Sequence, residues 1–430
     1  MAFIADFHVH SRYSRATSQD MGSEALARWA ELKGISLIGT GDFTHPLYFN
    51  ELQAKLEADR NGLYKLKNAT IQNKTPAVYF MLTAEVSNIF SYRGKLRKIH
   101  TLILAPSFDT VSRINTILHR RGNLSADGRP IFGFPAKDIV KMVLDVSDNC
   151  LLIPAHAWTP WFSIFGSNSG FDSIEECFQE ETGNIYAIET GLSSDPAMNW
   201  RLSALDRITL LSNSDAHSPS KIGREANIFD CKIEYDEIID TIKNKDSTHL
   251  LYTIEFFPEE GKYHFDGHRG CNILFSPKDT KKNNGICPVC KKPLTIGVMN
   301  RVEELADRKE GFIPDGAIPF KSIIPLEEII SEAIGVGVGT MAVSSEYEKM
   351  IKRGGSEFSI LLSLPEDNLH NIAHPKVAEG IIRMRNGKVS IIPGYDGIYG
   401  KIKIFEDEKT ETTESTSKTE SQQENQMSLF

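Results

Sequence analysis

The chain has 430 residues, 40% of them hydrophobic and 24% charged, with a formal net charge of -9. That length carries a full core and more than one domain, since single cores rarely grow beyond about 250–300 residues. No stretch approaches the roughly 20 apolar residues of a membrane span, and Met1 to His10 lacks the basic start and apolar run of a secretory leader, so no membrane partner and a cytoplasmic location are expected.

Short apolar runs alternate with amphipathic stretches across the first half. Residues 35–40, 77–83, 100–104, 150–154, 186–189 and 209–212 read as buried strands, with helices such as 23–33 and 135–144 between them. That rhythm predicts an α/β body over residues 1–245, built of parallel strands with helical crossovers. Barrels and doubly wound sheets both place chemistry at the carboxyl ends of such strands.

The strand ending Asp6-Phe7-His8-Val9-His10 has period two, so Asp6, His8 and His10 share a face and both imidazoles reach one ion. A lone pair of this kind also fits two core histidines. Asp42 and His45 follow the second strand, Glu85 follows the next apolar run, and His100 and His156 sit at further strand ends. Asp215-Ala216-His217 repeats the alternate spacing, with Ser214 as a supporting hydrogen bonder. A carboxylate such as Glu85 bridges two cations, which a histidine cannot. Donors of this type and number predict a polynuclear centre that hydrolyses a phosphoester. A deaminase or amidohydrolase needs only one or two ions and would leave several donors idle.

Residues 246–299 open on an extended run, 248–257, and continue as a loop-rich segment containing three of the six cysteines. His268-x2-Cys271 and Cys287-x2-Cys290 are two close pairs separated by a loop, the pattern of a tetrahedral structural zinc site. His264 is the alternative fourth ligand. A redox Cys-x-x-Cys fits less well, because the segment does not begin a helix after a strand. Lysines 278, 281, 282, 291 and 292 rim the site and favour nucleic acid.

Residues 300–405 read as mainly helical, with 327–333 and 344–352, and end in short extended runs at 389–393 and 401–405. The glycine-rich stretch 333–339 lacks the lysine of a phosphate-binding loop, so its glycines are read as permitting close backbone approach, here to DNA. Residues 406–430 hold seven acids against two lysines and almost no apolar content, the composition of a disordered tether. Removing their charge leaves -4 for the body, where basic clusters lie at Arg93, Lys95, Arg97 and Lys98 and at Arg120 and Arg121. Whole-chain charge therefore does not decide the partner. At the tether's end Gln426, Met427, Leu429 and Phe430 form a short motif suited to docking in a groove.

The order His8-x-His10, the residues after the second strand, Glu85, His100, His156 and Asp215-x-His217 resembles the polymerase and histidinol phosphatase (PHP) superfamily. That resemblance implies a distorted seven-stranded β/α barrel with a trinuclear site, followed here by the small zinc module and the helical C-terminal region. It implies His8, His10, Glu85 and Asp215 around one ion, with Glu85 shared. His100 and His156 would complete the second, and the residue after the second strand with His217 the third. Asp215, His217 and Glu85 are the expected catalytic residues. Where the superfamily reads Thr-Asp-His this chain reads Thr40-Gly41-Asp42, which puts Asp42 in the histidine's place with His45 as its alternative.

The further runs YHFDGHRGCN, ICPVCKKPLTIGV and RVEELADR resemble the endonuclease Q family of PHP enzymes. This implies nicking of DNA on the 5′ side of deaminated bases (hypoxanthine, uracil) and at abasic sites, with Zn2+ in structural and catalytic positions and Mg2+ or Mn2+ supporting the reaction. Residues 158–171, aromatic and rich in Asn and Ser, are candidates for a base pocket or wedge. The terminal peptide resembles the bacterial sliding-clamp pentapeptide, with Met427 in place of Leu. Damaged DNA and the clamp are thus the expected partners, and the nucleoid the expected place. Two rivals remain: a PHP small-molecule phosphatase, and a DNA- and clamp-binding accessory protein with a weakened site.

Overall fold

The computed structural model describes residues 2–67 and 77–405, so the acidic tether and the clamp-like peptide lie outside the described residues. Nine strands position the site: β1 (Phe3–Asp6), β2 (Leu37–Gly39), β3 (Tyr79–Tyr92), β4 (Lys95–Ala105), β5 (Leu151–Pro154), β6 (Ala187–Glu189), β7 (Thr209–Leu211), β8 (Ala226–Phe229) and β9 (Leu250–Glu255). Between β1 and β2 runs the helix Ser23–Lys33, stopped by Gly34, whose positive φ of 86° lets its N–H reach the carbonyls of Ala30 and Glu31. The amphipathic helix Ala136–Leu144 precedes β5 and buries Ile139, Val140 and Val143.

The expectation of parallel strands holds for β1, β2 and β3, which pair parallel in that order, and for β6 with β7. Elsewhere the sheet is antiparallel: β8 pairs β1, β9 pairs β8, β4 pairs β3 and β5 pairs β4. The largest departure is the hairpin of β3 and β4. Tyr92 pairs with Lys95, leaving Arg93 and Gly94 as a two-residue turn with φ of 49° and 75°, the primed geometry that matches strand twist. Two strands that read as separate are one antiparallel ribbon, because polar residues such as Ser87, Asn88, Ser91, Lys95 and Arg97 interrupt the apolar run without ending the strand.

The result is a mixed α/β fold with a large central sheet. Its hydrogen-bonded ladder is not closed among the described residues: β6 and β7 form a separate parallel pair. That pair is tied to its neighbours by Ala157 N–H to Glu189 O at 2.9 Å and by a parallel bridge from Val9 to Ala216. The seams fall where the His, Asp and Glu side chains converge. Phe7, Phe80, Phe132 and Phe229 are fully buried around them, each contributing about 1.5–3 kcal/mol relative to exposure.

β9 lies in the central sheet and pairs with Phe320–Ser322, so the sheet continues beyond residue 245 and takes an edge from the third region. Between them, a hairpin of Asp266–His268 and Ile273–Phe275 carries the cysteine segment. Four helices follow: Leu326–Ile334, Met341–Gly354, Glu366–Ile372 and Pro375–Arg385. They are fastened to the body by a buried ion pair, Lys33 Nζ to Glu357 at 2.9 Å, where Glu357 also accepts from Tyr347 OH at 2.8 Å and Leu326 N–H at 3.2 Å. No described helix is long and apolar enough to cross a membrane.

Candidate metal centre

His8 and His10 leave the end of β1 in extended backbone and point to the same side, as period two requires. His8 Nε2 lies 3.7 Å from both Glu85 Oε2 and Asp215 Oδ1, and His10 Nε2 lies 3.4 and 3.0 Å from the same two oxygens. His8 Nε2, His10 Nε2 and Asp215 Oδ1 are buried without a well-directed hydrogen-bond partner. Converging orphan donors of this kind cost several kcal/mol in an empty protein and are satisfied together by a cation. They fit one.

Glu85 sits within β3 and His100 within β4. Glu85 pairs across the ribbon with Leu102 and Ser87 with His100, so Glu85 and His100 are diagonal neighbours on one face. Glu85 Oε1 is 2.8 Å from His100 Nδ1 and 3.1 Å from His156 Nε2, a second set of donors using the other oxygen of the same carboxylate. His10, Asp215 and His217 form a third set. The sets overlap at His10 and Glu85 and merge into one centre.

Asp42 and His45 are placed differently from the other candidates. Gly41 has a φ of 67°, and a Cβ there would fall 2.3 Å from Val9 O, so only glycine lets the chain turn. That turn brings Asp42 behind His10: Oδ1 meets His10 Nδ1 at 3.1 Å, and Oδ2 accepts from Ser11 N–H, Ser11 Oγ and Ser14 Oγ at 2.6–2.9 Å. Both oxygens are occupied, so Asp42 orients a donor and joins none of the three sets. His45 stacks on Tyr13 at 4.4 Å ahead of the helix Pro46–Lys55 and also stands outside them. Asp6 joins none of the sets: its carboxylate accepts from Ser214 and Gly223 N–H, and its burial pushes the carboxyl up to about 6.

Sequence reasoning missed two residues. Glu189, at the end of β6, places both oxygens 3.0 Å from His8 Nδ1 and also accepts from His156 N–H and Asn213 Nδ2. It does for His8 what Asp42 does for His10: a carboxylate on Nδ1 fixes the tautomer that presents the Nε2 lone pair to the site. Arg129, from a loop, donates through Nη1 to Glu85 Oε2 at 2.9 Å.

The field of the site is negative. Burial pushes His8 down, but Glu189, Glu85 and Asp215 outweigh it and hold the imidazole well above its usual range. Burial likewise opposes charge on Asp215, yet His10 and His8 hold it far below the usual carboxylate range. His100, where burial wins over Glu85, is pushed down to about 4 and is neutral at physiological pH. Carboxylates that draw protons onto buried imidazoles draw divalent cations by the same attraction.

In the cysteine segment the structure brings His268, Cys271, Cys287 and Cys290 together, all donor atoms within 4.8 Å of one another. Three thiols and an imidazole in this cluster suit zinc. His264 is not among them; its Nδ1 is buried and unpartnered, and burial lowers it to about 4. It lines a cavity of about 930 Å³ with Thr159, Trp161, Asn168, Tyr263 and Tyr399. This cavity abuts the metal centre, since Thr159 Oγ1 is 3.1 Å from His156 Nδ1 and the neighbouring Phe162 ring packs on His100 at 4.6 Å.

Residues 325–388 match the family described as the MJ0043 C-terminal domain. The chain is 39% identical over 264 residues to the uncharacterized protein MJ0043 of Methanocaldococcus jannaschii, covering 60% of this chain and 32% of that one. It thus spans about a third of that relative's length. It is 28% identical over 411 residues to the uncharacterized protein YqxK of Bacillus subtilis, covering 93% and 98% of the two chains. The crystal structure of PfuEndoQ, a lesion-specific endonuclease from Pyrococcus furiosus, superposes with a TM-score of 0.82 at 31% identity over 94% of this chain and 95% of that one. An endonuclease Q complex with a 27-mer duplex, carrying an abasic lesion at its active site, gives 0.81 at 31% identity over 94% and 97%. With identity and coverage at this level along the whole fold, the chain belongs to the endonuclease Q family.

Proposed function

We propose that this protein hydrolyses the DNA phosphodiester on the 5′ side of hypoxanthine or uracil, and at abasic sites, as a metal-dependent DNA endonuclease. The observation that carries the reading is the merged donor set around Glu85 opening beside a cavity with aromatic walls. His8, His10, Glu85 and Asp215 would hold one cation, Glu85, His100 and His156 a second, and His10, Asp215 and His217 a third. When bound, such cations supply an activated water and neutralise charge on the phosphate, with Zn2+ matched to the imidazole-rich donors and Mg2+ or Mn2+ to the carboxylates.

The chain's own residues do the rest. Glu189 and Asp42 hold the histidine tautomers, and Glu85 spans two donor sets with its two oxygens. Trp161, half exposed beneath Lys98 Nζ at 4.7 Å, and Tyr399 offer faces on which an extruded base stacks. A deaminated base pairs poorly, so extruding it costs less than the few kcal/mol of a well-paired one. His268, Cys271, Cys287 and Cys290 would hold a structural zinc that braces one side of the cavity. Gln426, Met427, Leu429 and Phe430 would engage a sliding clamp, and deleting 426–430 should abolish clamp association while sparing nicking of short duplexes.

The test is an end-labelled duplex with one deoxyinosine or deoxyuridine, incubated with wild type and Asp215→Asn, with magnesium and with chelator. A single metal-dependent nick 5′ to the lesion, absent from undamaged duplex and from the variant, is expected. DNA binding without any nicking by the wild type would move the protein to the accessory reading.

A further inference from the structure

Arg129 lies in the loop between the helix Phe108–His119 and the short strand Ile131–Phe132, and no motif marks it. Its backbone is clamped on both sides. Gly128 N–H donates to Tyr13 O at 3.0 Å and Thr44 Oγ1 donates to Gly128 O at 3.1 Å. A Cβ at Gly128 would sit 2.3 Å from Asp42 Oδ2 and Ser14 Oγ, so the chain is pressed against the groups that orient His10. On the other side Ser87 N–H donates to Pro130 O at 3.0 Å, and Ile131 pairs parallel with Ser87 on β3.

From this mount the guanidinium reaches Glu85 Oε2, the oxygen that also faces His8 and His10. The side chains of His8, His10 and Glu85 are fully buried, whereas that of Arg129 is 24% exposed, so it stands at the mouth of the centre. Without metal, Glu85, Asp215 and Asp127 favour its charge; with cations in the donor sets, a fixed guanidinium beside them would call for a further anion. Glu85 is one carboxylate serving two donor sets and does not neutralise both them and Arg129. A guanidinium has five N–H donors in a rigid fork, and Glu85 takes one.

We propose that Arg129 is a catalytic residue whose remaining N–H groups hold a non-bridging oxygen of the scissile phosphodiester and stabilise the charge that builds on it in the transition state. This rests on the phosphodiesterase reading above. The rigid mount is what such a role demands, because a donor already in place needs no reorganisation when charge develops.

The experiment compares wild type, Arg129→Ala and Arg129→Lys on a lesion duplex and on bis(p-nitrophenyl) phosphate, a diester with no base. Metal content of each protein and DNA affinity in chelator are measured alongside. Arg129→Ala should lose about 100-fold or more in kcat on both substrates, as for removal of an oxyanion donor, with metal content and DNA affinity unchanged. Arg129→Lys should recover part of the rate, and millimolar guanidinium should rescue Arg129→Ala while leaving wild type unaffected. A full rate in Arg129→Ala would overturn the proposal. So would a metal-poor Arg129→Ala restored by added metal, because Arg129 would then only support Glu85. Should Arg129→Ala fail to fold, Arg129→Lys decides by the same comparison. A wild type that cleaves the small diester but spares the lesion duplex would end the lesion reading alone.

Discussion

The donors of the catalytic centre are drawn from residues 8 to 217 and ride on strands whose neighbours are almost wholly buried, among them Phe7, Ala84, Leu102 and Ala216. The four donors of the cysteine cluster fall within residues 268–290, where Leu274 and Val289 are exposed by 36% and 64%. In the first region the fold sets the donors in place; in the second, under the proposed zinc assignment, the metal would help build the fold. If the cluster holds zinc as proposed, metal-binding energy there would also be folding energy. The catalytic centre instead has His8 and His10 oriented by hydrogen bonds to the Glu189 and Asp42 carboxylates.

The largest effect that would break this contrast belongs to Asp215→Asn. Nicking should fall by more than about 100-fold, the ceiling for a merely supporting residue, while thermal unfolding and DNA binding stay close to wild type. A large drop in melting temperature would mean that the centre also holds the fold together. Next, replacing Cys287 and Cys290 by Ser should remove one zinc, raise hydrogen exchange across residues 264–297 and weaken DNA binding, with the main melting transition little changed. Normal zinc content in that variant would refute the cluster as a metal site. Glu189→Gln should lower catalytic metal affinity by about 10–100-fold by titration without unfolding the protein. Metal binding at wild-type strength would show that His8 needs no carboxylate behind it.

The smallest expected effect concerns pH. His264 is held down to about 4 by burial, so the unfolded chain takes up its proton first as pH falls from 6.5. Stability is therefore lost between pH 6.5 and about 4, by no more than about 3 kcal/mol, and is constant in this respect above 6.5. Urea unfolding of wild type and His264→Phe over this range isolates the contribution, since both share the acid sensitivity of the thiols. Parallel slopes would show that His264 charges freely in the folded state.

How far the sequence was legible follows from the range of each signal. The helix Ser23–Lys33 was readable to the residue because its apolar stripe and closing Gly34 are local. His8, His10, Glu85, His100, His156, Asp215 and His217 announced themselves as metal-ligand types at the ends of apolar runs, and they converge. The β3–β4 ribbon was not legible, since polar residues interrupt its middle and break the apolar run. Glu189 was read only as the end of a strand; a single carboxylate has no spacing partner, and its use depends on a histidine 181 positions away. Arg129 is set by contacts to residues 13, 44 and 87, none near it in sequence. Asp42, or His45 as its alternative, stands where the superfamily has its metal-binding histidine; Gly41's turn, which no local signal marks, sets the Asp42 side chain behind His10.

Asp42, His156 and Asp215 all adopt positive φ, at 44°, 32° and 46°, although none is glycine. L-residues reach that region at a cost on the order of 1 kcal/mol or more each, and here it turns side chains inward at the strand ends. At Asp215, whose Oδ1 has no well-directed hydrogen-bond partner, glycine would relieve that strain while removing the donor. An inactive Asp215→Gly protein that melts above the wild type would be a direct reading of how much rigidity the living molecule forgoes in order to cut.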